Sequence, residues 1–204
     1  MRGSTMAGRS FERFAGWLSV LGGLAGVGYA VAFVVLKNGP LSALFLTLAP
    51  LLAIGGLVAV FDRVRAIEPG FATVALALGA FGSLAASTHG AYDLANVFHA
   101  PPAGSPDLAD LPFAVDPRGF GTFALTGLSL LLLAWLARTS ADIPGWVGPL
   151  GMLVGVFLVV TWLARLIVLD ATSLLVLGPA LASGLLSPVF FLLLGAWLLG
   201  WRRG

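Results

Sequence analysis

The sequence predicts an all-α, polytopic membrane protein: a bundle of six transmembrane helices with both termini cytoplasmic. Apolar residues make up 59% of the 204 positions and charged residues only 10%, with a mean hydropathy of +1.01, where a soluble domain carries roughly 25% charged residues. The apolar residues fall into six long runs, each able to cross a hydrocarbon core about 30 Å thick at about 1.5 Å per helical residue. The basic residues, finally, alternate between loops. Arg2, Arg9, Arg13, Arg63, Arg65, Arg138, Arg202 and Arg203 fall on one side, and only Lys37, Arg118 and Arg165 on the other. The richer side is cytoplasmic, because translocation disfavours Lys and Arg near span ends.

The same composition excludes several classes of function. With no cysteine, the chain has no disulfide, thiolate nucleophile or iron–sulfur ligand. A net charge of +2 with scattered arginines leaves no basic patch for nucleic acid. The 27 glycines lie largely inside apolar runs, where spans use them for close packing. Ten arginines against a single lysine suggest a GC-rich bacterial genome, so the expected location is a bacterial inner membrane and the first partner is the lipid bilayer.

Residues 1–13 are polar and without apolar period, and read as a disordered cytoplasmic tail. The first span is 14–36. A secretory signal is its rival, since Ala30-Val31-Ala32 offers an A-x-A pattern, but the run stays apolar to Leu36. Lys37-Asn38-Gly39-Pro40 reads as a turn, and the second span, 41–61, carries Pro50 near its middle. A charged loop, Asp62 to Gly70, leads to the third span, 71–98. The connection 99–118 holds four prolines before Asp116 and cannot be one regular helix, although Asp107 to Leu111 could form a single turn. The fourth span is 119–137 and the fifth 146–169, after which Asp170 to Ser173 reads as a helix N-cap cluster. Gly178-Pro179 and Ser187-Pro188 interrupt the last apolar stretch. The sixth span is therefore expected at 181–201, with 174–179 as an interfacial lead-in, a break near Gly178-Pro179, and a short tail at 202–204. The two halves show no convincing inverted repeat.

The third span alone carries two ionisable side chains well inside its expected helix. His89 and Asp93 stand four apart and Asn96 three further on, so the three share a face, with Thr88 and Tyr92 beside it. The spacing suits an imidazole oriented by a carboxylate, or two metal ligands, or side chains simply wetted where a helix leaves the membrane. No metal or other cofactor is expected, because further ligands are missing: the second histidine, His99, lies about a hundred degrees around the helix from His89.

Arg165, inside the fifth span, costs at least about 2.5 kcal/mol at mid-membrane, so it should snorkel or pair with Asp93 or Asp170. Thr161 lies one turn deeper. Thr122, Thr126 and Ser129 give the fourth span a mild polar face, of which Thr126 is carried as a candidate ligand contact. Small residues at spacings of four, Gly22/Gly26/Ala30, Ala75/Gly79/Ser83/Ser87 and Gly151/Gly155, read as packing seams for the bundle, a partner or a second copy. Trp17, Trp135, Trp146 and Trp201 read as interfacial anchors.

No phosphate-binding glycine loop, HExxH or GxSxG motif is present. The layout is similar to that of many bacterial six-span membrane proteins, a likeness of topology that transfers no residue roles. Two function classes follow. The first is a non-enzymatic structural, accessory or sensing membrane subunit. The second is a small transporter or ligand-binding protein with an outward-facing polar site around His89, Asp93 and Arg165. Two histidines and no cysteine support an enzyme poorly.

Overall fold

The computed structural model describes residues 6–99, 115–168, 170 and 172–200, with side chains from Ser10 onward. The architecture is all-helical, with six helices long and apolar enough to cross a membrane; the chain is a multi-pass membrane protein. α1 is Met6–Ala30 and continues as a π-helical stretch, Val31–Val35. α2 is Gly39–Val64 and α3 Pro69–Phe98. A 3-10 turn, Pro117–Gly119, and a π-helical stretch, Phe120–Leu125, lead into α4, Thr126–Ala137. α5 is Val147–Ile167 and α6 Leu174–Leu198.

Local chemistry sets the starts of these helices. Asn38 caps α2 by accepting a hydrogen bond from the Leu41 N–H at 3.0 Å, with Pro40 in the first turn, where a missing donor costs nothing. Pro69 opens α3 in the same way. Ser173 accepts from the Leu175 N–H at 3.4 Å to open α6.

Each helix packs against its sequence neighbour and α6 returns against α1, so the six close into a ring. The closing contact is antiparallel: Gly16 meets Leu198 and Leu199, Gly23 meets Leu192, and Gly26 meets Pro188. Both described ends of the chain therefore lie at one end of the bundle, called terminal below; the other end is called distal. In the terminal half the interior is filled by Leu57, Leu130, Leu133, Leu136, Leu194 and other apolar residues, all buried. A cavity of about 10 Å³ remains between Leu57, Leu133 and Phe190, no larger than one water needs.

Two expectations are corrected. Part of the supposed tail, residues 6–13, is helical, because Phe11 packs on the core and Glu12 forms a 3.0 Å ion pair with Arg63 of α2. The sixth span is one continuous helix from Leu174, without a separate lead-in. Pro179 falls near its start, where a single hydrogen bond is lost, and the buried ring of Pro188 seats against Gly26 of α1. The seams named from the sequence are occupied within the chain: Gly22 against Ala53, Gly79 against Ser129, Gly151 against Ala134 and Gly155 against Gly127. Trp17 and Trp135 are exposed, while Trp146 packs edge-on against Phe190. Residues 1–5, the loop 100–114 with its possible turn at 107–111, and residues 201–204 with Trp201 lie outside the described residues.

Candidate functional site

Polar side chains converge at the distal end, where α3 finishes and α4 begins. Close helix contact puts them there. The Ser129 hydroxyl of α4 donates to the Ala75 carbonyl of α3 at 2.7 Å. Gly79 then faces Ser129, Gly82 faces Thr126, and Gly121 faces Ala85. These small residues draw the start of α4 down onto α3 beside His89.

The turn Asp116-Pro117-Arg118-Gly119 makes that start. Arg118 and Gly119 both take left-handed backbone conformations, with φ of 54° and 78°; glycine does so freely, arginine at a cost in strain. The turn folds the Asp116 carboxylate back over the helix start, where it accepts from the Gly121 N–H at 2.7 Å, the Thr122 N–H at 3.2 Å and the Thr122 hydroxyl. Asp116 is 2% exposed. Burial pushes its carboxyl up, but the approach of His89 and the bonds from Thr122 and Gly121 outweigh burial and hold it below the usual carboxylate range.

His89 lies between two carboxylates. Its Nε2 is 3.6 Å from Asp93 Oδ2 and its Nδ1 is 3.9 Å from Asp116 Oδ2. Both separations are just too long for hydrogen bonds. Among the described residues His89 Nδ1 and Ser87 Oγ are the buried side-chain polar atoms without a hydrogen-bond partner, and both sit at this end of α3. A neutral imidazole has one N–H and can donate to one carboxylate; an imidazolium can donate to both.

Arg165 does not pair as expected. No described carboxylate lies within 4.0 Å of it, so the direct ion pairs with Asp93 and Asp170 are absent. Its guanidinium instead lies over the Phe123 ring of the α4 lead-in, 5.3 Å from the centroid, while Asp93 faces His89. Asp170 is exposed and bound locally to the Thr172 hydroxyl and N–H, which hold its carboxyl below the usual range. Arg165 has Asp116, Arg118 and Tyr29 within electrostatic range, and Tyr29 also senses Asp93. α1 and α5 are not neighbours in the ring, yet Tyr29 and Arg165, both near its distal end, lie within electrostatic range of each other.

The remaining candidates divide. Tyr92 and Asn96 are half-buried on α3 and make no side-chain hydrogen bond among the described residues. Thr126 donates to the Gly121 carbonyl of its own helical segment at 3.2 Å and packs on Gly82, which places it in the seam instead of the polar cluster. Thr161 is buried and bonds the Phe157 carbonyl at 2.7 Å. Asp116 and Tyr29 complete the cluster without having been singled out in the sequence, and Thr122, read there as part of a mild polar face, joins them through its bonds to Asp116. Among the described residues no three side chains of ligand type group closely enough to hold a metal. Compared with known proteins, the chain matches no family model, no curated protein and no solved structure.

Proposed function

We propose that the chain is a non-enzymatic sensing subunit of a bacterial inner membrane, with cytoplasmic termini and a proton-responsive distal end facing outward. One observation carries this reading: both ring nitrogens of His89 face carboxylate oxygens, at 3.6 and 3.9 Å, without a bond to either. Histidine is the side chain whose ordinary titration falls between about pH 5 and 8. Protonation gives the ring two donors and draws Asp93 and Asp116 toward it. Since Asp116 holds the Gly121 and Thr122 N–H groups, a proton on α3 tightens the start of α4. Tyr29 and Arg165 complete the charged surroundings.

The chain has two histidines, so His99→Gln leaves His89 as a single reporter. Nitrogen-15 histidine spectra of that variant should show one titration. Over the same range, hydrogen exchange at Gly121 and Thr122, corrected for intrinsic rates, should slow on acidification and lose that response in His89→Gln. Identical pH dependence with and without His89 would rule the sensor out.

The ligand-binding reading is favoured by a different observation, Arg165 without an ion-pair partner among the described residues. A partner helix or second copy, if the subunit has one, would need a face other than the occupied seams. Gly178 and Gly184 of α6, with nothing within 4 Å of their added Cβ positions, offer one.

A further inference from the structure

We propose that the distal mouth of the ring binds an oxyanion, the carboxylate or phosphate group of a small solute or a lipid head, on the guanidinium of Arg165. This gives the ligand-binding reading its ligand class and is independent of the His89 titration.

Arg165 lies in the last turn of α5 and is partly buried. Its described contact is the face of Phe123, which attracts the cation but accepts none of its five N–H donors in the plane. Leaving such a group unpaired in a spanning segment is costly, and an arginine there ordinarily marks a pathway or a ligand. Among the described residues, Asp116, the acid within electrostatic range, does not satisfy it. Asp116 directs both oxygens at Gly121 and Thr122, and its other neighbour is His89. Arg118, brought near by the left-handed turn, adds positive potential at the same place.

Tyr29 of α1 lies within electrostatic range of Arg165, and its phenol O–H is a candidate donor to the second oxygen of a bound oxyanion. The planar guanidinium, lying over Phe123 at 5.3 Å from its centroid, offers a fork whose spacing matches two oxygens of a carboxylate or phosphate. Asp93 on α3, beside His89 and within electrostatic range of Tyr29, discourages a ligand with negative charge at both ends, so the preferred ligand is a monoanion or carries a positive group toward α3.

The test uses the full chain in phosphate-free maltoside detergent, titrated with inorganic phosphate or with acetate at constant ionic strength against chloride. Phosphatidylglycerol retention is followed in parallel by native mass spectrometry. Stabilisation by phosphate or acetate identifies a soluble oxyanion. Retention of phosphatidylglycerol without a soluble-anion effect identifies a lipid head. In either case Arg165→Gln should weaken binding about tenfold or more, and Tyr29→Phe should weaken it less. Arg165→Gln should lose the anion response while hydrogen exchange at Gly121 and Thr122 keeps its pH response, which separates this site from the proton sensor. Should Arg165→Gln fail to fold, Arg165→Lys keeps the charge, removes the fork and should still bind more weakly. No response from any of the three probes, or an equal response in wild type and the Arg165 variant, overturns the proposal.

Discussion

Asp116 ties a single carboxylate to three donors at the start of α4, so removing its charge should weaken the helix start and the α3–α4 contact together. Asp116→Asn keeps one carbonyl acceptor and adds two donors with nothing to receive them. The expected cost is about 1–3 kcal/mol, read as a lower unfolding temperature in detergent near neutral pH. Because the folded state holds this carboxyl below its ordinary range, its contribution is complete above that range and disappears as pH falls through the folded value. Wild-type and Asp116→Asn unfolding curves should therefore converge in acid; a gap unchanged between about pH 7 and pH 3 would show that the carboxylate is not responsible. Asp116 went unread because its partner, His89, lies on another helix, and helical spacing reports only neighbours on the same helix. A signal existed: Asp-Pro-Arg-Gly directly before an apolar run is a helix-start pattern. His89 and Asp93 were legible for the opposite reason, being one turn apart. The direct Arg165–Asp93 ion pair is absent because matching depth along two spans does not determine which way either side chain turns.

The helices touch through glycine, and the sequence showed one side of each contact. Gly151 and Gly155 are recognisable by spacing, but the partner of Gly155 is Gly127 of α4, which belongs to no repeating pattern. A Cβ on Gly155 would lie 2.8 Å from the Gly127 carbonyl oxygen, and one on Gly127 would lie 2.9 Å from the Gly155 carbonyl oxygen. Backbone cannot swing aside as a side-chain tip can. Gly155→Val should therefore force α4 and α5 apart and cost about 1–3 kcal/mol. Gly184→Ala in α6, with open space around it, should be neutral or stabilising by up to about 1 kcal/mol through helix propensity. Thermal unfolding of the two variants separates these outcomes, and equal effects would refute the close contact. The same logic explains the misread sixth span: proline is a local break signal, but Pro188 finds its place in a notch made by α1, which no window within α6 contains.

At the scale of the molecule, the six apolar runs and their order were fully legible, since length and hydropathy are properties of each run alone, whereas ring closure depends on contacts between the first and last helices. Closure is reinforced at the terminal end, where Arg63 pairs with Glu12 of α1 and lies 4.6 Å from the Trp197 ring of α6. With the ring closed and the helices alternating, one choice remains, which end faces the cytoplasm, and the arginine asymmetry is the argument for the terminal end in the proposed orientation. The absence of cysteine makes this directly measurable, because any introduced thiol is the only one present. His99 is exposed at the distal end of α3, and Asp142 is exposed in the α4–α5 connection at the terminal end. In intact cells His99→Cys should react with a membrane-impermeant maleimide, and Asp142→Cys should react only after the membrane is opened. The reverse pattern would place the polar mouth in the cytoplasm, so that both the proton reaching His89 and the oxyanion reaching Arg165 would come from inside the cell.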